Sequence, residues 1–333
     1  MKDLNIAVIG LGRIAQVIHL PLISSLSNVY VTAVSDINKN TLKSISDKFG
    51  VKKTYLDHRE IIKNEDVDLI IVSTPTSSHR DVALDCIESG KNLLIEKPVA
   101  RSYSEAKEIL ELAKKQHISV SVGMNMRFRP DIMLLKSVLS SDDIGTPFFI
   151  RCRWFRKQSS DSNWFVKKEE AGGGVLYDLG IVILDISLWL LDFVKVDSVS
   201  TQNYSINTQN VEDTSISFLR CDNGTTISIE TSWSIECEND SLFLEIYGSK
   251  GSISLTPQQV NKVINNRKIE LTSSNSSKIG ELYKKSYLNQ LKFIIHQIKN
   301  EIVNTDSLEQ SVFNLKIIEK MYESAAQKEE LKA

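Results

Sequence analysis

A chain of 333 residues leaves room for two domains of roughly 150 residues each. Its 41% hydrophobic and 25% charged residues suit cores of ordinary globular size and exclude a disordered polyelectrolyte. A formal net charge of -2 gives no bulk pull toward nucleic acid or a membrane surface, so neither is expected as a partner.

The first residues, MKDLNIAVIG, run straight into a strand-like segment and lack the layout of a signal peptide. No apolar stretch is expected to reach the roughly 18 residues of a membrane helix, because Asp185 interrupts the run LGIVILDISLWLL. Cys86, Cys152, Cys221 and Cys237 form no C-x-x-C pair. That argues against a zinc site or a disulfide framework, so no metal is expected, and it fits a reducing, cytoplasmic setting.

Through residue 122, short apolar runs alternate with helical patterns. Residues 5–9, 29–35, 69–73, 92–95 and 119–122 read as strands. Residues 102–117 read as an amphipathic helix opened by a capping box of Ser102 and Glu105. Such apolar runs suit parallel strands buried on both faces, and their alternation with helices implies a doubly wound α/β sheet of Rossmann type. The pattern then changes, and residues 123–333 read as a second α/β domain. Residues 130–139 read as a helix, and Gly172, Gly173 and Gly174 as the tight start of another. Residues 148–155, 196–206, 214–220, 225–235, 242–247 and 252–255 read as strands of a large, open, mostly antiparallel sheet with helices on one side. Residues 282–302 and 307–328 read as closing helices, and the Ser/Asn-rich stretch 272–278 as a mobile loop.

Gly10-Leu11-Gly12-Arg13-Ile14-Ala15 directly follows the first strand and opens the first helix. Gly10 suits a tight turn, Gly12 a close approach of backbone to a pyrophosphate, and Ala15 close helix–sheet packing. The helix N-terminus offers N–H groups to the phosphates. Asp36 follows the second strand, where a carboxylate accepts hydrogen bonds from the ribose hydroxyls and repels a 2′-phosphate. The expected cofactor is therefore NAD, with NADP the alternative because Lys39 is near.

Ligands of such sheets bind beyond the carboxyl ends of the strands. Ser73, Thr74, Pro75 and Thr76 follow one strand, with His79 opening the next helix, and Glu96-Lys97-Pro98 follows another. A lysine there can exchange a proton with a reacting hydroxyl or carbonyl, although position alone equally allows a surface lysine. Asp178, Val182 and Asp185 share a helical face. Two acids in an otherwise apolar helix need partners, and Asp178 could also simply complement the helix dipole.

The G-x-G-x-x-A turn, Glu96-Lys97-Pro98, the segment Asn125-Met126-Arg127-Phe128-Arg129-Pro130 and the glycine run leading to Asp178, Gly180 and Asp185 together resemble the glucose–fructose oxidoreductase/inositol dehydrogenase (Gfo/Idh/MocA) family. The resemblance spans nearly the whole chain. It implies an NAD(P)-binding Rossmann domain over 1–122 and a substrate-binding and oligomerisation domain over 123–333, assembled as a homodimer or homotetramer. It implies hydride transfer between the nicotinamide and a secondary alcohol or ketone of a sugar, cyclitol or sugar nucleotide. Lys97 then corresponds to the catalytic lysine, with a cis bond to Pro98, and Asp178 to the substrate-binding acid. The cofactor site is expected to draw on Gly10, Gly12, Arg13, Ile14, Asp36, Ser73, Thr74, Pro75, His79, Glu96, Lys97 and Asn125.

The chain departs from the family pattern at Val182, where many members carry a proton-exchanging His and others a Tyr. This keeps open a non-catalytic NAD(P)-binding sugar sensor or regulator. For substrate contacts the expectations are Arg127, Arg156, Trp164, Tyr177 and the Val182 position. Arg129 belongs to the same arginine cluster. Arg151 and Arg153 share a strand face that suits solvent or a subunit contact slightly better than an anionic ligand.

Overall fold

The computed structural model describes residues 3–64, 66–157, 163–235, 240–255, 258–264, 267–272 and 279–333. The chain divides into two compact units, Met1–Met124 with Tyr287–Val312, and Asn125–Ser286 with Phe313–Ala333.

The first unit holds six parallel strands: β1 (Leu4–Ile9), β2 (Val29–Ser35), β3 (Lys53–Tyr55), β4 (Leu69–Val72), β5 (Asn92–Ile95) and β6 (Val120–Val122). Their order is β3-β2-β1-β4-β5-β6. This is the dinucleotide-binding order, with its crevice where the chain reverses direction at β1 and β4. The inner strands are nearly continuous Ile, Leu and Val because helices cover both faces. Strand β4, LIIV, is buried at every residue. The three-residue edge strand β3, KTY, buries none of its side chains fully, so no apolar run announces it.

One face of this sheet is closed by Leu20 and Ile23, by Leu42 and Ile45, and by Leu291, Ile294 and Ile295. The last three explain why Tyr287–Val312 belongs with the first unit, whereas the composition of the chain places everything after residue 122 in one domain. The helix Tyr103–Gln116 starts at the N-cap Ser102, whose hydroxyl accepts from Glu105 N–H. The Glu105 carboxylate accepts from Arg101 N–H, one residue earlier than a reciprocal capping box requires.

The second unit is built on a nine-stranded sheet: β7 (Pro147–Phe155), β8 (Val196–Tyr204), β9 (Thr214–Cys221), β10 (Thr226–Ser232), β11 (Ser241–Gly248), β12 (Gly251–Leu255), β13 (Gln258–Ile264), β14 (Arg267–Thr272) and β15 (Leu331–Lys332). The order is β14-β13-β12-β11-β7-β10-β9-β8-β15. Every pairing is antiparallel except β7 with β10. The hairpin β13–β14 and the two-residue β15 are strands that the sequence reading did not single out.

Two strands end earlier than their sequences suggest, for local reasons. Beyond β8, the N–H groups of Ile206, Asn207 and Thr208 turn onto the Asp213 carboxylate. Those bonds hold its pKa below the usual carboxylate value although burial opposes the charge. Beyond β10, Ser234 and Ile235 donate to the Ser232 hydroxyl. The stretch read as a mobile loop, 273–278, and Cys237 lie outside the described residues.

The helical segment Lys168–Leu190 passes a length-and-composition test for a membrane span, which corrects the expectation that no segment would. It is 94% buried within the protein. It is the core helix over the second sheet, and its partnered acids are buried inside the fold.

Candidate active site

At the end of β1, Gly10 adopts φ 87°. A Cβ there would also lie 2.6 Å from the Thr74 nitrogen. Both the turn and the neighbouring strand therefore require glycine. Gly12 differs, because a Cβ there would meet nothing within 4 Å. The protein itself does not need Gly12 bare, so the open space fits a diphosphate set against the backbone. Arg13 is exposed and Ile14 half-buried on this turn, while Ala15 is fully buried in the core. Asp36 accepts from Leu11 N–H and Asn38 N–H, each at 2.8 Å. Its carboxylate is thereby fixed beside the glycine turn, as a ribose-binding acid must be.

The loop after β4 is tied to the same turn. Ser73 Oγ donates to Gly10 O at 2.8 Å, and Thr74 Oγ1 accepts from Ser78 Oγ. Pro75 precedes the short turn Thr76–Ser78, and His79 opens the helix His79–Glu88. The His79 ring is buried, with Nδ1 2.9 Å from Pro98 O and Nε2 2.9 Å from Thr74 O. Both nitrogens face protein carbonyls. The ring thus sits between the loop after β4 and the loop after β5. Burial pushes its pKa below the ordinary 6.5, against the bonds to Thr74 and Pro98.

The loop after β5 carries Lys97, half-buried, with a cis bond to Pro98. Glu96 is held by protein partners. Its carboxylate accepts from His19 Nε2 at 2.7 Å and from Lys97 N–H at 3.3 Å. Gly123 makes room for it, since a Cβ there would lie 2.9 Å from Glu96 Oε2. Sequence reasoning missed His19, which sits one helical turn beyond Ala15 and packs edge-on against Tyr287.

In the second unit the three glycines have distinct reasons. Gly172 adopts φ 90°. A Cβ on Gly173 would lie 2.1 Å from the Tyr322 hydroxyl, and one on Gly174 1.9 Å from Glu212 O. The Glu212 carboxylate accepts from Gly174 N–H, Leu176 N–H and Tyr322 O–H, and so caps the helical turn that follows. Burial raises the Glu212 pKa against those bonds. The turn itself, Leu176–Gly180, is a π-helix, a form often found at functional positions. The α-helix Ile181–Leu190 continues it.

Asp178 is carried on the π turn and is buried. Its Oδ2 accepts from Trp233 Nε1 at 3.1 Å and from Arg156 Nη2 at 3.4 Å. The Arg156 guanidinium stacks 5.0 Å from the Trp154 ring and lies 4.0 Å from Asp240. Burial opposes its charge, yet Asp178 and Asp240 hold its pKa above the ordinary value. Trp164 contacts Phe165 edge-on at 4.9 Å, and Phe165 lies 5.7 Å from Trp233. A buried carboxylate, a guanidinium and a row of aromatic rings are thus assembled together, and the sequence expectations for Asp178, Arg156 and Trp164 converge there.

Other expected residues have different roles. Arg127 is corrected from substrate contact to core ion pair. Its Nε and Nη2 both bond to Asp185, which also accepts from Asn314 Nδ2 at 2.7 Å. Tyr177 is buried against Tyr322, at 5.8 Å between ring centroids, because the π turn directs it away from Asp178. Val182 is buried one turn beyond Asp178. Asn125 donates from Nδ2 to Ser286 Oγ at 2.7 Å within the second unit, which ties its amide nitrogen to protein. Arg129 forms a two-point pair with Asp131. Arg151 and Arg153 lie on the sheet face, packed on Phe243.

A six-stranded parallel sheet with a glycine turn at its reversal point and an acid after β2 defines a dinucleotide-binding protein. Residues 4–124 match the oxidoreductase family described as having an NAD-binding Rossmann fold, and residues 132–254 match the GFO/IDH/MocA C-terminal domain. The chain belongs to the Gfo/Idh/MocA family of NAD-dependent oxidoreductases. It is 26% identical over 302 residues to the myo-inositol 2-dehydrogenase of Thermotoga maritima, covering 89% of each chain. It is 24% identical over 342 residues to the D-glucoside 3-dehydrogenase of Escherichia coli, covering 97% of this chain and 96% of the relative. A levoglucosan dehydrogenase solved with NADH and L-sorbose shares the fold, with a TM-score of 0.88 at 21% identity over 100% of this chain and 99% of that one.

Proposed function

We propose that this oxidoreductase interconverts a secondary alcohol and a ketone on a sugar, cyclitol or sugar nucleotide. The observation that carries the reading is Asp178. It is a buried carboxylate braced by an indole N–H and a guanidinium beside a row of aromatic rings. Carboxylates accept from vicinal hydroxyls, and aromatic faces suit the apolar faces of a sugar ring. NAD(H), held at the Gly10–Gly12 turn and by Asp36, would supply the hydride acceptor or donor. Lys97 exchanges the hydroxyl proton at Nζ, and Asp178 orients the hydroxyls. Val182 carries no proton, so acid–base work, typically ~10²–10⁴-fold, rests on Lys97.

We further propose a cytoplasmic homo-oligomer joined through the open face of the second sheet. Phe149, Arg151, Arg153 and Phe155 alternate along β7 on that face, and Phe218, Glu230 and Glu245 share it by register. Both charge signs on one aromatic surface permit self-complementary pairing with a second copy. Light scattering of the purified protein tests this, and a monomer at micromolar concentration would refute it.

The functional test is a panel of inositols, glucosides and sugar nucleotides with NAD or NADH, followed at 340 nm. Turnover with at least one, lost in Lys97→Met, is expected. Tight NADH binding without turnover in either direction would favour the sensor reading that Val182 keeps open.

A further inference from the structure

We propose that His19 and His79 are positioning residues that jointly fix Lys97 relative to the nucleotide-binding loops. The inference rests on the reading of Lys97 as the acid–base group. Lys97 occupies a span of three residues, and both neighbours are gripped by a buried imidazole. On one side, Glu96 Oε1 accepts from His19 Nε2 at 2.7 Å, while Oε2 takes the Lys97 N–H. On the other, Pro98 O lies 2.9 Å from His79 Nδ1, and the same ring reaches Thr74 O at 2.9 Å.

Each ring rises from the helix that follows a nucleotide loop. His19 ends the π turn Ala15–His19 behind the Gly10–Gly12 turn, and His79 opens the helix behind Ser73–Thr76. Ser73 Oγ then joins those two loops through Gly10 O. The result is a ring of contacts: glycine turn, His19, Glu96, Lys97, Pro98, His79, Thr74, Ser73 and back, in which the neutral His79 ring donates to one of the Pro98 and Thr74 carbonyls and packs against the other. The ring atoms sit on rigid helices, so a cofactor that seats on the two loops finds the Lys97 backbone at a set distance. Acid–base groups need this, because a misplacement of about 1 Å can cost ~100-fold in rate. Neither histidine is placed to contact the reacting atoms. Their nitrogens are engaged by Glu96, Pro98 and Thr74.

The test compares His19→Leu and His79→Leu, which remove the donors, with His19→Gln and His79→Gln, which keep one. The kcat and KM are measured separately on the panel substrate, and NADH affinity by calorimetry. The leucine variants are expected to lose about 10- to 100-fold in kcat with NADH Kd changed less than about threefold. The glutamine variants should recover most of the lost kcat. Unaltered kcat in the leucine variants would overturn the proposal, as would a loss of NADH affinity as large as the loss of kcat. Wild-type kcat in Lys97→Met alone would instead overturn the reading of Lys97. Should a leucine variant fail to fold, the corresponding alanine variant is measured in its place: a loss of kcat with NADH Kd kept supports the role, and unaltered kcat refutes it.

Discussion

The indole N–H of Trp233 donates to the Asp178 carboxylate at 3.1 Å. The contact joins the loop after β10 to the π turn that carries Asp178. A buried carboxylate needs its donors, and each hydrogen bond to a charged group contributes ~1.5–3 kcal/mol. Trp233→Phe keeps the ring but removes that donor. We expect kcat/KM to fall about 10- to 100-fold with NADH affinity intact. Asp178→Asn should fall further and also lower stability, because Arg156 loses its carboxylate partner. Steady-state kinetics alongside urea unfolding separates the two effects.

Gly12 and Gly174 predict opposite phenotypes for the same substitution. A Cβ on Gly12 meets no protein atom within 4 Å, whereas one on Gly174 would lie 1.9 Å from a backbone oxygen. Gly12→Ala should leave Tm unchanged and weaken NADH binding about tenfold or more. Gly174→Ala should lower stability by about 3 kcal/mol, since neither backbone can yield. Calorimetry and thermal unfolding of both variants check this, and a destabilised Gly12→Ala would mean that the space serves the fold instead.

Asp36 bonds the turn through Leu11 N–H while keeping its carboxylate beside it. Asp36→Ala removes the charge that excludes a 2′-phosphate. The ratio of NADH to NADPH affinity should shift by about 10- to 100-fold toward NADPH, with Lys39 free to pair with the added phosphate. Equal losses for both cofactors would show that Asp36 acts on the turn alone.

How far the sequence speaks depends on how local each cause is. The strands β1, β4 and β5 are legible as apolar runs, and the phosphate turn as glycines spaced within six residues. The glycine run before Asp178 is legible as a tight approach, but what it approaches is not: Tyr322 is 148 residues away and Glu212 is 38 away. His19 escapes notice because Glu96, which explains it, lies 77 positions along. The edge strand β3 buries none of its side chains fully and so imposes no hydrophobic pattern.

Arg127 shows the cost of that distance most directly. In the sequence it belongs to an arginine cluster suited to an anionic substrate. In the structure it is buried against Asp185, 58 residues on, and Asn314 completes the group. Arg127→Ala should therefore behave as a folding variant. Leaving Asp185 buried without its guanidinium should cost ~3–5 kcal/mol in urea unfolding. Residual folded enzyme should keep its KM, and a raised KM with unchanged stability would restore a substrate role.

The His79 ring supplies a pH dependence whose sign is set by burial. Its folded pKa lies below the ordinary 6.5. Below pH 6.5 the unfolded chain takes up a proton that folded His79 does not, so the unfolded state binds more protons and stability falls with falling pH. The loss begins near 6.5 and stops once the folded ring also protonates. Its slope reaches at most ~1.4 kcal/mol per pH unit from one group. Above pH 7.5 both states carry neutral imidazole and the contribution is flat. Urea unfolding of wild type and His79→Gln from pH 8 to 5 isolates the term, because Glu212, whose pKa is raised by burial, titrates in both proteins and cancels in the difference. The difference curve should be level above neutrality and bend toward the variant on acidification, and a curve bending the other way would place a charged imidazole in the folded protein.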